Sequence, residues 1–162
     1  MTLDYTVPKN VSIQMVEYVQ KIIEDFPEEI STAAKTPAAE HLFKVNDEAK
    51  KIDEERAEIF HMTIAKCLFL CKRARPDIQV AVAFLSTRVT KPDEDDWKKL
   101  VRLVKYLFGT KNLSLNLSAG EDSKWEWWVD SAYAVHPNLS LHTGVAFTMG
   151  KEHQFAQAPN KI

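Results

Sequence analysis

The sequence of 162 residues lacks any apolar run near the roughly 20 residues that a membrane helix needs, and its longest, such as residues 78–85, stop well short. No basic segment followed by an apolar run opens the chain, so an intracellular location, cytoplasmic or nuclear and not secreted, is expected. Cysteine is almost missing. Cys67 and Cys71 stand four apart in a helical pattern, one turn above each other on a buried face. No second ligand pair has zinc spacing, so core packing in a reducing compartment is expected rather than a metal pair. Internal repeats and low-complexity tracts are also absent.

A strong net charge is missing too. The total of −2 argues by itself against a strong nucleic-acid binder, but it conceals segregation along the chain. Residues 1–65 carry 7 basic against 13 acidic side chains, residues 66–111 carry 11 against 5, and residues 112–162 carry 3 against 5. A basic block of this kind either contacts phosphates or is simply a solvated helix surface. With 45% hydrophobic and 27% charged positions, the chain has the make-up of a globular protein of one ordinary domain or two small ones.

Residues 3–7 and 11–13 alternate apolar and polar around a turn-like Pro8-Lys9-Asn10, which predicts a short hairpin. Met15, Val16, Val19, Ile22, Ile23 and Phe26 then recur at helical steps until Pro27 stops them. Residues 27–50 show no period and read as an extended linker crossing a surface.

Three amphipathic helices are predicted next. The first, about residues 53–74, has a stripe of Phe60, Ile64, Cys67, Leu68 and Cys71, with Asp53, Glu54 and Glu55 at its dipole-favoured start. The second opens with Pro76-Asp77 and buries Ile78, Ala81, Val82, Leu85 and Val89. The third opens with Thr90-Lys91-Pro92-Asp93, a capping-box pattern, carries Trp97, Leu100, Val101, Val104 and Leu107 at helical spacing, and stops at Gly109. Three short-linked helices make a small bundle. Beyond Gly109 the period becomes two: Leu113, Leu115 and Leu117 alternate with polar residues, and residues 125–130 and 145–149 are further strands.

Within residues 60–117, three landmarks stand in order: Arg75-Pro76-Asp77-Ile78 opening a helix, Pro92 followed by Asp96-Trp97, and Lys105-Tyr106-Leu107-Phe108-Gly109-Thr110. This stretch resembles the thumb and connecting region of copia-type retrotransposon reverse transcriptases. Residues 125–151 resemble the first two strands of that family's RNase H domain, and residues 1–27 resemble the hairpin and helix after the polymerase's catalytic strand.

The resemblance implies an α+β chain. Residues 1–50 would be the end of the polymerase palm and a linker, residues 51–111 a three-helix thumb-like bundle, and residues 112–162 an incomplete RNase H-like sheet. It also implies a basic thumb gripping a template-primer duplex or RNA/DNA hybrid through Lys72, Arg73, Arg75, Arg88, Lys98, Lys99, Arg102 and Lys105. The family's Tyr-x-Asp-Asp polymerase hairpin does not occur here, and its later RNase H carboxylates, beginning with a Glu on a helix, would lie beyond Ile162. Of the RNase H metal site, Asp130 alone is retained by position.

RNase H chemistry uses paired Mg²⁺ ions held by several converging carboxylates. One aspartate cannot hold them, so no cofactor and no catalysis are expected of this chain alone. Without the resemblance, Asp130 reads as a turn or cap residue at a strand end. His136 and His142, six apart, have no ligand spacing and read as solvent-facing or hydrogen-bonded. Trp125, Trp127 and Trp128 could stack on bases, but core burial is the expectation. Besides a fragment of the polyprotein, a domesticated protein–protein interaction module is the alternative, with an unfinished sheet edge recruiting a partner strand or a second copy.

Overall fold

The structure, a computed structural model, describes residues 1–118, 125–132, 141–148 and 154–160. Its order is β1 (Thr2–Asp4), β2 (Asn10–Gln14), α1 (Val16–Glu24), α2 (Glu54–Cys71), a 3₁₀ turn (Pro76–Ile78) running into α3 (Gln79–Ser86), α4 (Glu94–Gly109), β3 (Leu115–Ser118), β4 (Glu126–Ala132), β5 (Leu141–Thr148) and β6 (Gln154–Asn160). Helices and antiparallel strands occupy separate stretches, so the fold class is α+β.

The hairpin forms with Leu3 opposite Ile13, and its turn is closed by the Asn10 N–H donating to the Val7 carbonyl at 3.1 Å. Lys9 takes a left-handed φ of 63°, which the turn demands although lysine has no special tolerance for it. β3 then pairs antiparallel with the other side of β2, Val11 opposite Leu117 and Ile13 opposite Leu115. A strand from the segment read as the start of RNase H thus lies in one sheet with the N-terminal hairpin.

One hydrophobic core runs through the four helices, from Met15, Val19, Ile22 and Phe26 to Leu100, Leu103, Val104 and Leu107. α1 therefore shares its interior with α2, α3 and α4, and the rings of Phe26 and Trp97 stack with centroids 5.5 Å apart. Cys67 and Cys71 are free and buried in this core, as expected from their spacing.

Three local expectations need correction. Val89 lies beyond α3, which ends at Ser86, and is half-buried. Leu68 is 43% exposed, and Leu70 takes the buried place. Thr63 is buried as well and widens the arc on the side away from Leu68: at about 100° per residue, the buried set of Phe60, Thr63, Ile64, Cys67, Leu70 and Cys71 is centred roughly 60° from Leu70 and roughly 100° from Leu68. The capping box also sits three residues later. Asp93 is the N-cap, its carboxylate accepting from the Asp95 and Asp96 N–H groups, while the Asp96 carboxylate accepts from the Asp93 N–H. Capping at Thr90 would require Lys91 to be helical, and the ring of Pro92 disfavours that conformation in the residue before it.

Residues 27–50 contain no helix or strand, yet they are no free linker. Ile30 and Leu42 are buried, the Ala34 N–H donates to the Lys105 carbonyl at 3.2 Å, and the Trp97 indole donates to Glu28. Ala33 sits so close to Gly109 that a Cβ there would come within 2.7 Å of the Ala33 Cβ. The segment is a strap laid along α4.

In the second sheet, of order β4-β5-β6, β4 is an edge strand, with Trp127 opposite Phe147 and Asp130 opposite Gly144. β6 adds antiparallel to β5 within the C-terminal stretch, where the sequence carries no clear strand signal. Among the described residues, no helix is long and apolar enough to cross a membrane.

Candidate nucleic-acid interface

The eight basic side chains expected to grip a duplex divide into two sets. Arg75, at the end of α2, is 1% exposed. Its Nε and Nη2 donate to the Asp77 carboxylate at 2.9 and 2.7 Å, and its Nη1 and Nη2 donate to the Thr110 carbonyl and hydroxyl at 3.0 and 2.7 Å. The Tyr106 hydroxyl donates to the same Asp77 at 2.8 Å, and burial together with that bond pushes its pKa above the usual phenol value. Arg75 therefore clamps the α2–α3 junction to the end of α4.

Arg88 makes a second clamp, between the end of α3 and the start of α4. Its Nε donates to Asp96 at 3.0 Å and its Nη2 to Asp93 at 3.1 Å, with Lys51 approaching Asp93 at 3.2 Å. Burial pushes the Asp93 carboxyl up, but the Asp96 N–H, Lys51 and Arg88 together hold it below the ordinary carboxylate value. Asp96 is raised, because its own burial, helped by the Asp93 charge, outweighs the pull of Arg88.

Lys99 is buried as well, donating to the Lys44 carbonyl at 2.6 Å and pairing with Asp95 at 2.8 Å. These three cations have internal partners, so little of their charge is left for phosphates.

The other five are placed differently. Lys72 and Arg73 lie exposed beyond the last turn of α2, the Arg73 guanidinium 3.7 Å from the centre of the Phe69 ring. Lys98, Arg102 and Lys105 recur at four- and three-residue steps and so share one face of α4. Among the described residues, no carboxylate pairs with any of these three. Arg102 donates through Nη2 to the Thr36 hydroxyl at 2.9 Å, while its Nε is buried without a partner.

Where the strap crosses this face, a cleft of about 200 Å³ opens. The strap lines it with Ala38, Ala39, His41 and Leu42, and α4 lines it with Asp95, Lys98, Lys99 and Arg102. His41 and the strap's part in the cleft carry no signal in the sequence, because the strap follows no period.

Asp130 is exposed on β4. Glu126, on the same face, is four residues away along an extended strand, roughly 13 Å at 3.3 Å per residue. Mg²⁺ holds its oxygen ligands at about 2.0–2.1 Å, so these two carboxylates cannot share an ion. β5 and β6 contain no carboxylate, and among the described residues no three His, Cys, Asp or Glu side chains gather as a metal site. The described residues do not fit a two-metal centre. His142 lies in β5, and His136 falls outside the described residues.

The expectation of buried tryptophans is overturned. Trp125, Trp127 and Trp128 are 63%, 61% and 43% exposed. Trp125 and Trp127 both meet the ring of Phe147 on β5, at 5.2 and 4.5 Å between centroids. The helical body meets this sheet at β6, which approaches α3 and the 3₁₀ turn, and leaves these tryptophans exposed.

No family model matches the chain, and no solved structure matches it.

Proposed function

We propose that this chain is a piece of a copia-type reverse transcriptase/RNase H polyprotein, catalytically incomplete alone, whose remaining capacity is to hold the backbone of a template-primer duplex or RNA/DNA hybrid. The observation that carries the duplex reading is the face of α4 on which Lys98, Arg102 and Lys105 stand with no ion pair to a carboxylate among the described residues, Asp95 beside them being paired with Lys99. The ordered landmarks of residues 60–117 support the family. Each phosphate contact releases counterions, so affinity should fall steeply with salt and depend little on sequence.

Gel-shift titration of a duplex at two salt concentrations tests this. The Lys98→Ala and Lys105→Ala variants should each lower the salt slope by about one unit. Absent or salt-insensitive binding would remove the idea. Hydrolysis of a hybrid's RNA strand in Mg²⁺, lost in Asp130→Asn, would overturn the reading of the chain as inactive.

The exposed tryptophans on edge strand β4 favour a second reading, a protein-interaction module that recruits a partner strand. A clean monomer at high concentration in size-exclusion chromatography would count against its self-associating form.

A further inference from the structure

The cleft between the strap and α4 has features that duplex binding does not use. Its volume of about 200 Å³ is below the roughly 300–1,000 Å³ of pockets that enclose drug-sized ligands, so it suits a compact group. Its charges do not cancel. Lys99 is neutralised by Asp95 at 2.8 Å, which leaves Lys98 and Arg102 as two positive charges.

Arg102 supplies a more specific sign. A guanidinium offers five N–H donors in a planar fork, and here Nη2 is used by Thr36 while the buried Nε has no acceptor. A buried donor left without a partner is uncommon and marks this guanidinium as one that the fold leaves only partly satisfied, its Nη1 making no hydrogen bond to the described residues. The apolar side of the cleft, Ala39 and Leu42, limits how much water can surround a group seated there.

We propose that this cleft is a binding site for a phosphomonoester, with the Arg102 fork and the Lys98 ammonium as its two cationic arms. A phosphomonoester carries about −1.5 to −2 at neutral pH and three acceptor oxygens, which matches two uncompensated cations and the open donors of Arg102. Arginine is the residue suited to such an oxyanion, because its fork can donate two parallel bonds. The group could be free in solution or the terminal phosphate of a nucleic-acid strand; the recognising chemistry is the same.

The test follows backbone amide NMR shifts of the full chain during titration with inorganic phosphate, at ionic strength held constant with chloride. Saturable shifts at Ala39, His41 and Arg102 are expected. Arg102→Met should weaken binding about tenfold or more, and Arg102→Lys should restore part of it. Ala39→Leu fills the cleft while leaving every charge in place, and it should abolish the response. A wild-type chain with no saturable phosphate response, or an Ala39→Leu variant that titrates like wild type, overturns the proposal.

A 5′-phosphorylated oligonucleotide duplex and its 5′-hydroxyl counterpart separate the two sources. Both duplexes can compete through Lys98 and Arg102, so stronger competition by the phosphorylated form assigns the site to strand ends, and equal competition, or none, assigns it to a free phosphomonoester. Lys105 lies outside the cleft, so Lys105→Ala should lower duplex affinity and spare the inorganic-phosphate titration, whereas Ala39→Leu should abolish that titration and spare a 5′-hydroxyl duplex; failure of this inference and failure of the duplex reading remain distinct.

Discussion

The helical body and the β4–β5–β6 sheet use similar residue types to opposite ends. In the body, Phe60, Phe84 and Trp97 are at most 3% exposed, and the α2–α3 and α3–α4 junctions are each held by a buried or half-buried arginine. In the sheet, Trp127 and Val129 are 61% and 68% exposed. Aromatic content therefore does not make a core. What makes one is close packing against a second layer, which the body has in four packed helices; in the sheet it is β6 that approaches α3 and the 3₁₀ turn, while Trp127 and Val129 on β4 stay exposed.

The contrast can be broken most severely at Phe60. Phe60→Ala should lower unfolding free energy by about 3–5 kcal/mol in urea titration, since a fully buried ring leaves a cavity. A loss under 1 kcal/mol would mean that the helices are not packed as described. Arg75→Met comes next, at about 3 kcal/mol, because it takes the buried guanidinium from the Thr110 carbonyl and from Asp77, which is left with the Tyr106 hydroxyl. Its duplex salt slope should stay unchanged, which would separate clamp from interface.

A smaller effect is read by pH. Burial pushes the Cys67 thiol up to about 12, against about 8.5 in an unfolded chain. The folded state keeps its proton longer, so this contribution is fully present below about 8.5 and is lost as pH rises toward 12. Stability should fall by about 1.4 kcal/mol per pH unit within that window, and Cys67→Ala should remove that part of the slope. An identical slope in both proteins would contradict burial of the thiol. The smallest change is expected at Trp127→Ala, about 1 kcal/mol or less, the worth of one contact with Phe147 on an open face. A loss as large as that at Phe60 would mean that the sheet is covered after all.

Much of the body was legible because helical period and burial are the same fact seen twice. Val19, Phe60, Val82 and Leu107 each announce an inward face through neighbours three and four residues away. The strap was not legible, since Glu28, Thr36 and the Lys44 carbonyl meet α4 singly, with no repeat to mark them.

The basic residues were half legible. Their number shows in the sequence, but their partners do not, except where spacing offers a hint such as Asp95 and Lys99 at i and i+4. The landmarks that carry the family resemblance turn out to be joints. Arg75, Asp77, Tyr106 and Thr110 form one hydrogen-bonded group, and Arg88 binds Asp93 and Asp96 in another. Sequence identity at those positions speaks to how helices are fastened, not to what the chain touches.

The pairing of β2 with β3 joins positions about a hundred residues apart across the whole helical body. Closing so long a loop has an entropic cost that only an assembled interior can offset, which makes this small sheet a late event in folding. It works as a seal: its amides stay protected from exchange only while everything enclosed between them holds together.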